Sequence, residues 1–162
     1  MFLLLFFKVN ITYINTTFES ALKQNMSSFI RYGGSILGYR YETVNVSTAT
    51  SATYVFGSRS SMDTYGYLYS SSFNPNSPAN NLLISDDDNG GNGQFQFSFF
   101  LQAYVSYTLV MTTYNVNVFG SYVAIVSGPI AVSLSRTNVT TTTVATTMST
   151  TTRSKSSLLT FK

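Results

Sequence analysis

The stretch ISDDDNGGNGQFQFSFF, residues 84–100, contains half of the acidic side chains in the sequence. Asp86, Asp87 and Asp88 are consecutive and precede a glycine-rich segment, and Asp63 is the nearest other carboxylate along the chain. Calcium takes six to eight oxygen ligands, and loops far apart in sequence can supply them together. The four aspartates therefore predict either an irregular calcium site or a strand-connecting turn, in which Asp and Asn side chains bond to nearby backbone.

The known calcium motifs do not fit this segment. An EF-hand loop that begins at Asp86 would have Gly90 at position 5 and Phe97 at position 12, where oxygen ligands are required. The calcium-binding nonapeptide repeat fails as well, because Phe95 stands at its aspartate position. The turn is thus the main interpretation, and calcium remains an alternative.

Catalytic chemistry has little support in the composition. The chain has no His and no Cys, which removes the usual general base, thiol nucleophiles and thiolate metal sites. A glycosidase needs two carboxylates across a sugar, which Asp63 and one aspartate of the turn could formally supply. There is no Trp for sugar stacking, however. We expect a non-enzyme without a cofactor, and a hydrolase fragment is the least favoured function.

Charge and sequons indicate the cellular location of the protein. Charged residues are only 9% of the chain, against roughly 25% in average soluble domains. The nine basic residues are dispersed, so we expect no nucleic-acid partner. The low charge favours a secreted or cell-surface protein, as do five sequons that predict a glycoprotein, at Asn10, Asn15, Asn25, Asn45 and Asn138.

Composition divides the chain into three zones: an N-terminal segment at 1–17, a strand-rich domain at 18–135 and a tail at 136–162. The start, MFLLLFFK, is short for a signal peptide, which needs about 7–15 apolar residues. It is also far below the roughly 20 residues that span a bilayer, so it is either a signal remnant or the sign of a longer gene product. The Thr- and Ser-rich tail is predicted to be disordered, as a linker or O-glycosylated stalk.

Alternating apolar and polar residues predict short strands throughout the middle zone. They are expected at 41–46, 52–56, 64–69, 82–84, 94–101, 107–112, 122–126 and 131–134. Such spacing, with turns between the strands, is typical of an all-β sandwich or barrel. The segment Phe18 to Phe29 has apolar residues at helical spacing but many Ser and Asn residues, so a helix and an edge strand both remain open.

Three tyrosines, Tyr65, Tyr67 and Tyr69, alternate along one predicted strand and therefore share a face. Such a row can form a platform that binds sugars or peptides. It can equally be sheet packing, because strands are rich in Tyr, and packing is the preferred interpretation.

The region Val44 to Val126 resembles the pre-peptidase C-terminal domain of bacteria, a jelly-roll-like β-sandwich found beside secreted peptidases. The likeness rests on DTYGYLY at 63–69, the aspartates at 86–88, QFQFSFFL at 94–101, AYVSYTLV at 103–110 and GSY at 120–122. Tyr104 stands where that family has glycine or another small residue in a tight turn. The resemblance implies a single antiparallel sandwich of about seven to nine strands. It also implies calcium at Asp63 and the aspartate turn, and an extracellular polymer as partner.

The chain is also similar to the tandem, sequon-rich extracellular β-domains that recur in bdelloid rotifer proteins. This likeness covers residues 18–135 through MDTYGYLY, NLL, DDDNGGNGQFQF, YTLVMTTYNVNVFGSY and SGPIAVSLSR. We expect a non-catalytic accessory or adhesion module. The alternative is a carbohydrate-binding module that uses the face of Tyr65, Tyr67 and Tyr69.

Overall fold

The computed structural model describes residues 12–137, and this part of the chain consists of strands and turns without a helix. The eleven strands are β1 (Ile14–Leu22), β2 (Ser28–Ile30), β3 (Leu37–Arg40), β4 (Glu42–Ser47), β5 (Ala52–Ser60), β6 (Thr64–Tyr69), β7 (Leu82–Asp86), β8 (Gln96–Leu101), β9 (Tyr107–Thr113), β10 (Gly120–Gly128) and β11 (Ser133–Arg136). The all-β class is confirmed, and the strand count exceeds the expected seven to nine.

Two antiparallel sheets contain nine of these strands. The four-stranded sheet has the order β1-β10-β5-β8, the five-stranded sheet has the order β11-β4-β9-β6-β7, and β2 and β3 form a separate hairpin. Without the hairpin and β11, the other eight strands, numbered one to eight along the chain, are ordered 1-8-3-6 and 2-7-4-5. This is the connectivity of a jelly roll, in which two Greek keys share two sheets.

The inner faces of the two sheets meet in one core. In β10 the buried positions are Tyr122, Ala124, Val126 and Gly128, and the residues between them are half-buried. In β4 the residues Val44 and Val46 are buried in the same way, and both strands contribute to a single cluster of contacting side chains. The period of two thus places one face of each strand in the shared core, as in other sandwiches.

The central strand of the five-stranded sheet is buried on both faces. All seven residues of β9 are buried, which is unusual for a sheet of a two-layer sandwich. Leu109 and Met111 point into the main core, whereas Val110 belongs to a second cluster with Phe29 and Tyr39 of the β2–β3 hairpin. The hairpin therefore covers the outer face of the sheet as a partial third layer.

The segment Phe18 to Phe29 forms no helix. Its first part is the edge strand β1, which pairs with β10 over nine consecutive residues, and its last part enters β2. Phe18 and Leu22, four residues apart, contact the main core, whereas Phe29 contributes to the second cluster. The helical spacing was coincidental, because the pairing partner of β1 lies about a hundred residues away and no local pattern reveals it.

The predicted zone boundaries shift by a few residues. The boundary expected between residues 17 and 18 falls inside β1, and β11 extends to Arg136, inside the zone assigned to the tail. The predicted signal remnant at 1–8 and the rest of the predicted disordered tail lie outside the described residues. Among residues 12–137, no helix is long and apolar enough to cross a membrane.

Tyr104 adopts the backbone conformation that the resemblance associates with a small residue. Its φ is 63°, in the left-handed region, and its side chain is 86% exposed. The backbone N–H of Tyr104 donates to the carbonyl of Thr48 at 2.8 Å, which fixes the β8–β9 turn against the end of β4. A side chain at this φ costs about 1–2 kcal/mol, and here almost no packing offsets that cost.

We therefore expect Tyr104→Gly to stabilise the domain. Glycine removes the strain but gains freedom in the unfolded chain, worth roughly 0.5–1 kcal/mol, so the net gain is about 0.5–1 kcal/mol and the melting temperature should rise by roughly 2–5 °C. Tyr104→Ala is the control, because alanine keeps the Cβ atom that causes the strain. Equal melting temperatures for the glycine and alanine variants would contradict this explanation.

Candidate functional site

The aspartate segment forms a turn between β7 and β8. The carboxylate of Asp86 accepts hydrogen bonds from the backbone N–H of Asn89 at 3.0 Å and of Gln96 at 2.8 Å, and from the side-chain amide of Asn89. The next residues reverse the chain through Gly91, Asn92 and Gly93, all with φ between 55° and 75°. Asp86 therefore acts as the internal acceptor of the turn, as the turn interpretation predicted.

Asp63 lies beside this turn, as the sequence predicted. It ends the loop between β5 and β6, where a Cβ added to Gly93 would be 3.3 Å from its Cα atom, and the next residue, Thr64, donates its N–H to the Gly93 carbonyl at 2.8 Å. One carboxylate oxygen of Asp63 is buried without a hydrogen-bond partner. Burial raises the pKa of Asp63, and the negative charges of Asp88 and Asp87 raise it further.

The four aspartates do not gather into a metal cage. Within residues 12–137, no group of three or more acidic side chains is arranged so that it could hold a metal ion. The carboxylate oxygens of Asp86 already accept hydrogen bonds from backbone N–H groups. The negative charges of Asp87 and Asp88 repel that of Asp63. Calcium at this site stays a prediction.

The three tyrosines of β6 are brought together, but they do not form an open platform. The rings of Tyr65 and Tyr67 stack with centroids 4.6 Å apart, and those of Tyr67 and Tyr69 lie 6.5 Å apart. Tyr67 and Tyr69 are 2% and 0% exposed, beneath Phe29 and Phe73. Burial raises the pKa of both hydroxyls. Two of the three tyrosines of the predicted ligand face are thus covered, as the packing interpretation expects, and Tyr65 is half-buried.

Arg31, which the sequence analysis passed over, anchors the hairpin at one end of this tyrosine row. Its guanidinium carbon lies 4.3 Å from the ring centre of Tyr39, 4.8 Å from that of Tyr65 and 5.2 Å from that of Tyr114. Cations are attracted to aromatic faces at these distances. The positive charge also counteracts the rise in the pKa of Asp63. No sequence signal joins these residues, since the tyrosines lie on three separate segments.

A groove lies beside the covered tyrosines, on the rest of the outer face of the five-stranded sheet. It has a volume of about 760 Å³, and its aromatic wall is formed by Tyr41 and Phe73, whose rings meet edge to face at 5.0 Å. The remainder includes hydroxyl and amide groups, among them those of Asn45, Ser106 and Thr108, together with Met26 and the charged pair Glu42 and Arg136. Sugar-binding sites combine aromatic surface and polar groups in this way.

The tip of the β2–β3 hairpin is the second surface that the sequence did not reveal. Four large apolar side chains are exposed there, namely Ile30, Tyr32, Ile36 and Leu37. Beside them, the loop with Pro75 and Pro78 forms a hollow of about 660 Å³. The sequence shows apolar residues along this segment but does not reveal which of them are exposed. In the structure the hairpin buries Phe29 and Tyr39 and leaves the other four at the surface.

The buried charge of the domain has a structural role. Glu42 points into the sandwich, accepts a hydrogen bond from the Tyr122 hydroxyl at 2.6 Å and lies 3.2 Å from the Nε atom of Arg136. Burial, and then the hydrogen bond and charge of Glu42, raise the pKa of Tyr122, so the hydroxyl remains a donor. The bond joins β4 of one sheet to β10 of the other.

The predicted sequons occupy different environments. Asn15 and Asn25 are exposed, Asn45 is half-buried, and Asn10 and Asn138 lie outside the described residues. Asn15 lies on β1, whereas Asn25 and Asn45 both line the groove beside Tyr41.

Comparison of the chain with protein-family models and with curated protein sequences finds no match. The resemblance to pre-peptidase C-terminal domains and to the rotifer domains therefore stays a prediction, and the function has to be argued from the surfaces just described.

We expect Asp63→Asn to stabilise the domain at neutral pH. The folded-state pKa of Asp63 is raised, so its contribution to stability is complete below the unfolded value near about 3.9 and is lost as the pH rises through the folded value. The variant should match the wild type near pH 3 and exceed it at pH 7, in melts recorded across that range. Asp88→Asn should give a smaller gain of the same sign.

Glu19→Gln on β1 is the matched control, because it removes one negative charge away from the turn. A gain equal to that of Asp63→Asn would mean that net charge, not local repulsion, is responsible.

The same melts with millimolar calcium and with a chelator test the predicted metal site. Calcium would raise the melting temperature of the wild type but not of the Asp63→Asn protein, and equal melts of the wild type in both solutions exclude it.

Proposed function

We propose that this chain is a non-catalytic β-sandwich module of a secreted or cell-surface protein, and that it attaches to an extracellular polymer through the tip of the β2–β3 hairpin. The observation that carries the proposal is the exposed apolar tip. Ile30, Tyr32, Ile36 and Leu37 have exposed fractions of 40%, 59%, 57% and 66%. Other large apolar side chains are exposed elsewhere, such as Phe100 on β8, but four of them at one hairpin tip are typical of an interaction surface.

The hairpin that presents this surface is packed tightly against the domain. Phe29 and Tyr39 pair across it and are 1% and 8% exposed, packed on Tyr67 and the rest of the second cluster. Arg31 adds contacts with three tyrosine rings. The tip is therefore held in place before any partner arrives, which lowers the entropic cost of binding.

The hollow beside the tip favours an extended partner. It runs along the hairpin and the loop at 75–80, where Pro75 and Pro78 limit backbone freedom. A concave strip next to projecting apolar side chains suits a chain-like ligand that lies along it. Collagen and structural polysaccharides have this shape, and a collagen-like partner agrees with the resemblance to pre-peptidase C-terminal domains.

A secreted or surface location agrees with the sequons and the charge. Asn15 and Asn25 are exposed, so their side chains leave room for a bulky glycan at the surface. Polar uncharged side chains form much of the surface, as expected from 9% charged residues. The calcium proposed at Asp63 would act on the stability of the domain, near Arg31 of the hairpin.

We expect Leu37→Asn to abolish most polymer binding. Burial of a leucine side chain contributes about 1.5–3 kcal/mol, so its loss should weaken binding about tenfold or more, measured by co-sedimentation with collagen, chitin and cellulose particles. Phe100→Asn on β8 is the matched control, because Phe100 is also exposed, at 55%, but lies in the other sheet. Absence of binding to every polymer, or equal losses in both variants, would contradict the proposal.

A carbohydrate-binding module is the second candidate, with its site moved from the covered tyrosines to the open groove. The observation in its favour is the wall formed by Tyr41 and Phe73 opposite the hydroxyl and amide groups of Ser106, Thr108 and Asn45. A sugar ring stacked on the wall would have hydrogen-bonding partners within the groove.

A glycan array tests this candidate with protein made in bacteria, which carries no glycan of its own. Tyr41→Leu preserves apolar volume against Phe29 and Phe73 but removes the flat ring, so binding should weaken about tenfold. Leu37→Asn serves as the control, since it leaves the groove intact. No bound glycan, or equal binding by the Tyr41→Leu protein, would exclude the groove as a sugar site.

A further inference from the structure

We propose that the groove on the outer face of the five-stranded sheet is filled by the protein's own N-linked glycan, attached at Asn45. Of the three sequon asparagines that the structure describes, two, Asn25 and Asn45, line this one groove. Asn25 is exposed, and Asn45 is half-buried. The proposal rests on the secretory location proposed above.

Strand register places Asn45 beside the part of the outer sheet face that the hairpin leaves uncovered. Across the outer face, Asn45 of β4 pairs with Ser135 of β11 on one side and with Thr108 of β9 on the other. Thr108 pairs in turn with Tyr69 of β6, where the second core begins. A glycan on Asn45 that leans over Thr108 therefore lies against the edge of that core, where the hairpin no longer covers the sheet.

The side chain of Asn45 is oriented for attachment. Its Oδ1 atom accepts a hydrogen bond from the Ser106 hydroxyl at 2.6 Å. Its Nδ2 atom, the atom that carries a glycan, donates no hydrogen bond to any other described residue, and it is not among the buried polar atoms that lack a partner. The hydrogen bond to Oδ1 can persist after attachment, and it would hold the glycosidic linkage in one orientation.

The walls of the groove match the first sugars of an N-glycan. Tyr41 lies on β4's side of the groove, on the same face as Thr43 and Asn45 by the two-residue period. Sugar rings have an apolar face that packs against aromatic rings, and the groove's volume of about 760 Å³ falls within the range of roughly 300–1,000 Å³ for small-molecule pockets. Ser106, Thr108 and Ser71 supply hydrogen-bonding groups to the hydroxyls.

The attachment reaction is an oligosaccharide transfer from a lipid diphosphate donor. A bond forms between Nδ2 of Asn45 and the anomeric carbon of the first sugar, and the bond between that carbon and the diphosphate breaks. Nδ2 loses one proton, and the lipid diphosphate leaves with the electron pair. The transfer takes place on the nascent chain, so the half-burial of Asn45 in the folded domain does not prevent it.

The glycan would then complete the cover of the sheet. The hairpin shields Tyr67, Tyr69 and Val110, and the sugars would shield the half-buried strip with Thr43 and Asn45. A filled groove has no room for a sugar from outside. A glycan on Asn45 would therefore prevent carbohydrate binding in the groove, the second candidate function, and leave the hairpin tip free.

The test is to produce the full chain behind a cleavable secretion leader in a glycosylating host and to treat the folded protein with peptide N-glycosidase. Glycopeptide mass spectrometry should show Asn45 occupied, with its glycan released at least about tenfold more slowly than that of Asn15. Denaturation should abolish this difference. Asn15 is the internal control because it is exposed on the edge strand β1.

Two sequon variants measure the contribution of the glycan to stability. Ser47→Ala removes the Asn45 glycan without changing Asn45, and Thr17→Ala removes that of Asn15. Against the same variants made in bacteria, Ser47→Ala should lower the melting temperature of the glycosylated protein by roughly 2–5 °C, and Thr17→Ala should leave it unchanged. An unoccupied Asn45 beside an occupied Asn15, equal release rates, or equal melting temperatures would overturn the proposal. If no sequon is occupied despite the leader, this inference fails, whereas polymer binding by the bacterial protein still tests the proposed function separately.

Discussion

The structure depends on the need to cover both faces of β9. Its sequence, YTLVMTT, alternates between the main core and the outer face, yet every residue is buried. On the outer side Val110 adjoins Tyr67 and Tyr69 of β6, and this apolar strip would be exposed in a simple two-layer sandwich. The β2–β3 hairpin covers this strip with the side chains of Phe29 and Tyr39. Because the hairpin covers only part of the face, it also determines where surfaces remain free.

Those free surfaces differ in chemistry, and the difference separates the proposed roles. Beyond one edge of the second core lies a groove with aromatic and hydroxyl groups, which suits sugar. At the tip of the hairpin lies an exposed apolar cluster, which suits a macromolecular partner. Around Asp63 and the aspartate turn, negative charges repel one another and the chain makes tight turns. One covering element thus links the stability of the domain to the positions of the proposed glycan and of the proposed adhesive surface.

The sequence predicted the sandwich well, because strands such as β4 and β10 alternate between buried and half-buried residues, a local period of two that is visible in the sequence. It also placed Asp63 near Asp86–Asp88 and marked Tyr104 as unusual, and Tyr104 does adopt a positive φ. It did not predict β2 and β3, since these short strands are defined by what they cover rather than by their own pattern. It could not decide that Tyr67 and Tyr69 are covered, since the cover comes from the tertiary packing of Phe29, some forty residues earlier in the chain, and of Phe73. Arg31, the groove and the apolar tip depend on the same tertiary contacts.

The most direct test of this account is amide hydrogen exchange in the free domain, because it measures whether the hairpin is a firm cover. The account predicts that amides of residues 28–30 and 37–40 that are bonded within the hairpin exchange slowly and together with those of β6, as one cooperative unit. The groove and the tip are then the available surfaces. If the hairpin amides exchange within seconds while β6 and β9 remain protected, the tyrosine row opens readily. That result would contradict the account and make Tyr65, Tyr67 and Tyr69 available as the binding face.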